Sequence, residues 1–237
     1  MQGKSKVCQT ETLTDYQRSL TGEIHLWLSP MDYFPDTDVF KRRVLAHYCQ
    51  LAADDISFRY GEHGKPELDQ LEPFCQFNIS HSGGWIVCAV TDTAPVGVDI
   101  EDLERAPQVM KLARRFFHPA EAEMLESLPE SEQKDCFFDL WTLKEAGSKI
   151  HGHALAPTLQ QREFELVSAP ASQPRASIRS LPSGGEVAFR CLLDPVPSQR
   201  LALGALWCAA TAPRLRLRVL RDKNKWEEAE ITLRACS

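Results

Sequence analysis

Short runs in which hydrophobic and polar residues alternate recur along the chain, and this pattern predicts β-strands with one buried face. The first run is EIHLWLS at residues 23–29. Three more, FCQFNIS, GWIVCAVTD and VGVDIE, follow closely between residues 74 and 101, and we predict that they form a meander. After residue 162 the strand-like runs are REFELV, ASIRSL, EVAFRCLL, LALGALWCAA and RLRLRVL.

Apolar residues spaced three and four apart predict helices in two places. One helix begins near residues 36–38, where Asp36 to Asp38 can cap it. The others lie in the middle of the chain, at about residues 107–117, 119–128 and 131–150, and Gly152 is suited to end the last of them.

Helices that cluster in the middle, with antiparallel-looking strands on both sides, predict an α+β fold with more than one small sheet. We place a boundary near residue 95, which divides the chain into residues 1–95 and residues 96–237. No internal repeat or low-complexity tract is visible.

Composition narrows the class of protein. The chain has 237 residues, of which 43% are hydrophobic and 25% charged, so it can bury a sizeable core. A net charge of -6 argues against general nucleic-acid binding. The eight cysteines lie singly and predict buried free thiols, and no stretch is apolar enough for a signal peptide or a membrane span. We therefore expect a protein of the cytoplasm.

Carboxylates and a lysine occupy matching positions on one predicted strand and one predicted helix. Asp99 and Glu101 point to the same side of the VGVDIE strand, because side chains alternate along a strand. Trp141, Glu145 and Lys149 are four residues apart and form one helical stripe. If the stripe packs over the strand, three carboxylates converge, and two of them about 4 Å apart repel by roughly 4 kcal/mol. A divalent cation relieves that repulsion, and an all-oxygen ligand set favours magnesium over zinc.

Each of these pairs has an ordinary explanation when it stands alone. Asp99 and Glu101 fit a polar strand face, and Glu145 with Lys149 fits a solvent-exposed ion pair on a helix. Two further segments, however, are suited to bind an anion. GKP, with Lys65 at its centre, forms a rigid turn, and FNISHSGG ends a strand in a predicted turn at residues 81–84, where amides and side chains can face a phosphate.

In order along the chain, GKP, FNISHS, VGVDIE, FFHPAE and WTLKEAGSKIHGHAL resemble the motif series of the 4'-phosphopantetheinyl transferases, specifically the monomeric surfactin-synthetase-activating type. The resemblance covers about residues 60–155. It implies an α+β fold of two similar-sized, pseudo-twofold-related halves with the cofactor in the cleft between them. Residues 1–95 would contact the coenzyme A phosphates. Residues 96–237 would carry the magnesium site, the catalytic helix and the surface that docks the carrier protein.

The resemblance also implies roles for single residues. Asp99, Glu101 and Glu145 would bind the magnesium that holds the pyrophosphate of coenzyme A. Glu145, or a metal-bound water that it holds, would accept the proton of the carrier serine. Lys149 would stabilise or protonate the departing phosphate. The implied coenzyme A contacts are Lys65, Ser80, His81 (nearest the 3'-phosphate), Lys144 and Arg43.

Arg43 does not belong to a matching motif and is chosen for a different reason. Members of the family usually grip the adenine and the 3'-phosphate with a longer basic segment before the first long helix. Residues 29–40 are short here and carry Asp32, Asp36 and Asp38 instead. Arg43 is the candidate that we choose from the nearest cations.

The implied reaction moves the 4'-phosphopantetheine arm of coenzyme A onto a serine of an apo acyl or peptidyl carrier protein and releases adenosine 3',5'-bisphosphate. Carrier proteins are generally acidic, so we place their docking site on the basic, partly apolar helix at about residues 107–117. An alternative is a binding module that keeps the coenzyme A or carrier site without turnover. The pathway, whether fatty acid, polyketide or nonribosomal peptide synthesis, stays open. The docking residues are Met110, Lys111, Leu112, Arg114 and Arg115.

Overall fold

The computed structural model describes residues 20–69, 75–105, 108–152, 159–161, 164–167, 176–180, 189–207, 211–222 and 225–236. Its helices are α1 (Thr37–Cys49), α2 (Val109–Phe116), α3 (Pro119–Ser127) and α4 (Glu130–His151). Its strands are β1 (Glu23–Pro30), β2 (Phe58–Tyr60), β3 (Pro66–Leu68), β4 (Gln76–Ser82), β5 (Trp85–Thr91), β6 (Val96–Asp102), β7 (Phe164–Val167), β8 (Ala176–Ser180), β9 (Phe189–Leu193), β10 (Gln199–Ala205), β11 (Arg214–Asp222), β12 (Lys225–Ala229) and β13 (Leu233–Cys236).

Two larger sheets and one small hairpin contain these strands. The first sheet has the order β12-β11-β1-β5-β4, and the second has the order β6-β10-β9-β13-β8-β7. Strands β2 and β3 form the hairpin. In the first sheet β1 runs parallel to β11 and antiparallel to β5. The α+β prediction is confirmed.

The predicted meander is wrong at its last strand. β4 and β5 pair as a hairpin, but β6 leaves them and pairs antiparallel with β10 in the second sheet. Pro95, directly before β6, cannot donate to a strand ladder, so it suits the point where the chain changes sheets. β11 and β12 also return to the first sheet, which therefore combines strands from both sides of residue 95. The division of functions between the two predicted halves stays a prediction.

The two sheets pack face to face around a shared hydrophobic core. Leu26 of β1, Val98 of β6, Leu203 of β10 and Leu217 of β11 meet there and are almost completely buried. Helix α1 covers the outer face of the first sheet, and helices α2 to α4 cover the outer face of the second. The layers are thus helix, sheet, sheet and helix.

Local sequence signals set the ends of the helices. The Asp36 side chain accepts a hydrogen bond from the Val39 amide at 2.9 Å and caps α1, as predicted. Gly152 ends α4 in the left-handed conformation, with φ of 64°, also as predicted. Pro107, where we expected α2 to open, lies outside the described residues, and the helix begins at Val109.

Gly97 lets α4 lie directly on β6. A Cβ atom at this position would come within 2.1 Å of the Ala146 carbonyl oxygen, a distance that no side chain can satisfy. The missing side chain therefore brings the helix onto the strand that carries Asp99 and Glu101.

Candidate active site

Side chains of β4 reach across to β6 at the place where the edges of the two sheets meet. The Ser80 hydroxyl donates to Asp99 Oδ1 at 2.8 Å, and the Ser82 hydroxyl donates to Glu101 Oε2 at 3.0 Å. Further along the same two strands, the Val98 amide donates to Asn78 Oδ1 at 2.9 Å. Ser80 and Ser82, which alternate along β4, thus hold Asp99 and Glu101, which alternate along β6.

Helix α4 adds its stripe to this junction. Lys149 Nζ lies 2.6 Å from Asp99 Oδ1, 3.0 Å from Ser80 Oγ and 3.7 Å from Glu145 Oε2. At the other end of the stripe, Trp141 Nε1 donates to Glu101 Oε1 at 3.1 Å. The predicted packing of stripe on strand is therefore observed, and it brings the three carboxylates and the lysine together.

Burial and charge change the acidity of these groups. Burial, with help from Asp99 and Glu101, raises the pKa of Glu145 to about 8, although Lys149 opposes the shift. Burial and Asp99 also raise the pKa of Glu101. Burial alone would lower the pKa of Lys149, but the carboxylates of Asp99 and Glu145 raise it. Such pKa shifts are expected where several carboxylates lie close together in a site that is partly shielded from water.

A polar cavity of about 250 Å³ opens at this junction. It contains the predicted residues Ser80 and His81, and His81 is exposed. A second cavity of about 200 Å³ shares Ile79 and Lys149 with it. The first is lined by Ile79, Ser80, His81, Ser82, Asp99, Ile100, Glu101, Arg105, Glu145 and Lys149.

Lys65 lies in the second cavity and holds the end of α4. Its ammonium donates to the Ile150 carbonyl at 2.6 Å and contacts the Val96 carbonyl at 3.4 Å. Burial lowers the pKa of Lys65 to about 8. A phosphate contact for Lys65 stays a prediction, and its observed role is to tie the β2–β3 hairpin to the helix that carries Glu145.

Comparison with known proteins decides the family. The sequence model of the 4'-phosphopantetheinyl transferase superfamily matches residues 95–209. A 4'-phosphopantetheinyl transferase from Bacillus subtilis is 38% identical over 173 residues, which make up 73% of this chain and 71% of that protein. This chain belongs to the phosphopantetheinyl transferase family. The family inferred from the motifs is confirmed.

Two other phosphopantetheinyl transferases match over different lengths. The transferase Sfp of Bacillus subtilis (strain 168) is 41% identical over 129 residues, 54% of this chain and 56% of that protein. The transferase HetI of a Nostoc species is 32% identical over 184 residues, 64% of this chain and 76% of that protein. The chain thus spans between about half and three quarters of these relatives. None of these names supports the non-catalytic alternative.

Lys144 does not take the place expected in a phosphopantetheinyl transferase site. Its ammonium is 2.9 Å from Glu121 Oε2, donates to the Gln161 carbonyl at 2.5 Å, and belongs to a side chain with 2% exposure. The residue lines neither cavity. A contact between Lys144 and coenzyme A stays a prediction, without support from its position, because α3 approaches that side of α4 and buries the ammonium.

Arg43 is also away from both cavities. Helix α1 lies on the outer face of the first sheet, where the Arg43 guanidinium sits 5.7 Å from the centre of the Phe34 ring. Its neighbour Lys41 pairs with Asp38 at 2.9 Å. A contact between Arg43 and coenzyme A stays a prediction, without support from its position.

The turn expected at residues 81–84 is shorter than predicted. β4 continues to Ser82, which pairs with Trp85 of β5, so only Gly83 and Gly84 form the turn. Both have positive φ, 55° and 77°, and this conformation closes a two-residue hairpin that matches the twist of its strands. His81 therefore lines the cavity from a strand position and not from the turn.

Sequence reasoning missed two residues of the site. Ser82 reaches Glu101 as Ser80 reaches Asp99, and their spacing of two along β4 was a usable signal. Arg105 donates to Glu101 Oε2 at 3.2 Å from the irregular segment after β6, where no periodicity could have indicated it.

The carboxylates fit a magnesium ion by their chemistry. The Oδ2 atom of Asp99 is buried and has no hydrogen-bond partner among the described residues, and Glu101 and Glu145 line the same cavity. All of these ligand atoms are oxygens, as magnesium prefers. As the side chains stand, no three His, Cys, Asp or Glu residues in the described part of the chain form a ready-made metal cluster. Lys149 supplies the positive charge beside Asp99.

Proposed function

We propose that this phosphopantetheinyl transferase moves the 4'-phosphopantetheine arm of coenzyme A onto a serine of an apo acyl or peptidyl carrier protein. Adenosine 3',5'-bisphosphate leaves. The observation that carries the proposal is the meeting of Asp99, Glu101, Glu145 and Lys149 around one polar cavity, in a chain of this family.

In the proposed reaction the serine hydroxyl attacks the pantetheine-side phosphorus, and the bond from that phosphorus to the bridging oxygen breaks. Glu145 takes the serine proton, and this residue is suitable because its carboxylate lines the cavity and lies 3.7 Å from its nearest cation, Lys149. Lys149 stabilises the phosphate that leaves, since this residue lines both cavities and carries a positive charge.

We also propose that Asp99, Glu101 and Glu145 hold magnesium. When bound, the ion offsets the charge of the diphosphate and activates the phosphorus that is attacked. The unpartnered Oδ2 of Asp99 supports this assignment, as does the crowding of carboxylates. Ser80 and His81 supply further polar contacts to the phosphates from the β4 side of the cavity.

The carrier protein is proposed to dock on α2. Lys111, Arg114 and Arg115 are exposed there, beside the partly buried Met110 and Leu112. Phe116 of α2 contacts Trp141, whose indole N–H donates to Glu101 in the cavity, so we expect a carrier bound to α2 to lie close enough to present its serine to Glu145. Such a surface combines positive charge with apolar area, which suits an acidic partner.

We further propose that the protein acts as a monomer in the cytoplasm. One chain supplies every residue of the proposed site. The six cysteines in the described part of the chain are free, namely Cys49, Cys75, Cys88, Cys136, Cys191 and Cys236, and free thiols are usual in a reducing compartment. In the part of the chain that is described, no helix has the length and apolar character of a membrane span.

The test is to incubate the protein with coenzyme A, magnesium and, in separate reactions, apo acyl and apo peptidyl carriers. Intact-mass analysis should show a gain of about 340 Da on the carrier. The gain should disappear when a chelator removes the metal and return with added magnesium. Coenzyme A binding without any carrier modification across the panel would favour the non-catalytic module instead.

A further inference from the structure

Three donors hold the carboxylate of Glu101. Trp141 Nε1 donates to Oε1 at 3.1 Å, while Ser82 Oγ and Arg105 donate to Oε2 at 3.0 and 3.2 Å. Glu145, by contrast, is 3.7 Å from Lys149, which is longer than a hydrogen bond. The two glutamates of the site are therefore held very differently.

Trp141 is the most rigid of the three donors. Its ring stacks on Phe137 with centroids 5.5 Å apart and also contacts Phe116 and Phe117, each at 6.1 Å. Arg105 has a side chain that is 61% exposed, so its contact is easily exchanged for water. A hydroxyl such as that of Ser82 can rotate, but a packed indole points its N–H in one direction.

The register of α4 on β6 explains why Trp141 meets Glu101. The helix crosses the strand so that Trp141 contacts Glu101, and Lys149, two turns later, contacts Asp99. Gly97 fixes the distance between the two backbones, as described above. Trp141 and Lys149 thus flank Glu145 on the same helical face and each orients one carboxylate of β6.

We propose that Trp141 is a positioning residue, whose indole N–H holds Glu101 in the orientation that binds the divalent cation. The inference rests on the proposed function and on magnesium at this site. Without the N–H, Oε1 loses its fixed donor and the carboxylate can rotate away from its place beside Asp99. Loss of a hydrogen bond to a metal-binding side chain typically weakens metal affinity or activity by about 10-fold to 100-fold.

The test compares Trp141→Phe with Trp207→Phe. Phenylalanine keeps an aromatic ring beside Phe137 but lacks the N–H. Trp207 is the matched control, because it is also a buried indole donor, to the Thr211 carbonyl at 2.8 Å, and it lines neither cavity. The measurements are the magnesium concentration for half-maximal transfer and the affinity for Mn²⁺ in the coenzyme A complex, followed by electron paramagnetic resonance.

Trp141→Phe should raise both the half-saturating magnesium concentration and the Mn²⁺ dissociation constant by about tenfold, with a smaller change in kcat at saturating metal. Trp207→Phe should leave both values unchanged. Equal metal dependence in Trp141→Phe and the wild type would overturn the inference while leaving transfer intact. Failure of the wild type to modify any carrier would instead overturn the proposed function. If Trp141→Phe does not fold, Trp141→Leu removes the same N–H without adding another donor and takes its place.

Discussion

The ammonium of Lys144 lies 2.9 Å from the carboxylate of Glu121, and both side chains are almost completely buried between α3 and α4. The next residue, Glu145, lines the cavity on another side of the same helix. Two adjacent charged residues of one motif therefore have different surroundings, since Lys144 attaches α4 to α3 and Glu145 lines the cavity. The FFHPAE segment, which supplies Glu121, contributes to the site through this attachment.

Removing one partner of the buried pair should destabilise the protein. We expect Glu121→Gln to lower the free energy of unfolding by about 3 kcal/mol, because Lys144 is left buried without its counterion. Urea denaturation measures the loss. The matched control is Glu126→Gln, also in α3, which breaks an exposed pair with Arg114 and should cost less than about 1 kcal/mol. Equal losses for both variants would show that the buried pair contributes no more to the free energy of unfolding than the exposed pair does.

Glu145→Gln should abolish transfer without affecting the fold. Loss of a general base reduces the rate by about 10²-fold to 10⁴-fold, so we expect a fall of that size in kcat with an ordinary circular dichroism spectrum. Asp99→Ala should be equally inactive at every magnesium concentration. An Asp99→Ala protein that kept most of its activity with magnesium would make the metal assignment wrong.

Charge reversal on α2 should weaken carrier binding selectively. Lys111→Glu and Arg115→Glu place negative charge on the proposed docking surface, so KM for an acidic carrier should rise several-fold and become less sensitive to salt, while KM for coenzyme A stays unchanged. Arg221→Glu is the control, because Arg221 is 55% exposed on β11, away from α2. A change in KM for coenzyme A with no change for the carrier would contradict this docking site.

Stability should fall as the solution becomes acidic because of His25. Burial and the nearby Arg218 lower the pKa of His25 to about 4, against its ordinary value of 6.5. Between these two values the unfolded chain binds the proton at His25 and the folded protein does not, so the contribution of His25 to stability is complete above about pH 6.5 and is lost as the pH falls toward 4. The groups that face His25 are Glu23 on β1, Tyr48 on α1, Arg216 and Arg218 on β11, and Glu228 on β12.

This dependence can be measured as the slope of unfolding free energy against pH. His25→Gln should reduce the slope between pH 6.5 and 4 by about 1.4 kcal/mol per pH unit, which is the contribution of one proton. A slope in His25→Gln as steep as in the wild type would assign the acid sensitivity to other groups.

The positions of site residues were predictable from the sequence where the periodicity of a single strand or helix determines the direction of a side chain. Alternation along a strand placed Asp99 and Glu101 on one face. Four-residue spacing placed Glu145 and Lys149 on one helical stripe. In the structure both pairs line the same cavity. The direction of Lys144 was not predictable in the same way. It depends on α3, which approaches from a separate part of the chain and brings Glu121 with it.

The strand pairing shows a similar limit. The runs of alternating residues indicated β4, β5 and β6, but a run does not specify its partner, and β6 joins a strand about a hundred residues later in the chain. β12 and β13 gave no signal that we recognised, because KWEEA is largely charged and LRAC is very short. Their positions depend on neighbours that the local sequence does not contain.

The parallel pairing of β1 with β11 links the start of the first sheet to residues 214–222. During synthesis on the ribosome, β1 emerges long before β11. The edge of β1 that pairs with β11 stays unpaired until residues 214–222 have been made. The first sheet, which α1 covers, can therefore be completed only late in translation, whereas β6, β9 and β10 of the second sheet can pair earlier. A truncated product that stops before Arg214 would expose an unpaired, hydrophobic strand edge, and such an edge promotes aggregation.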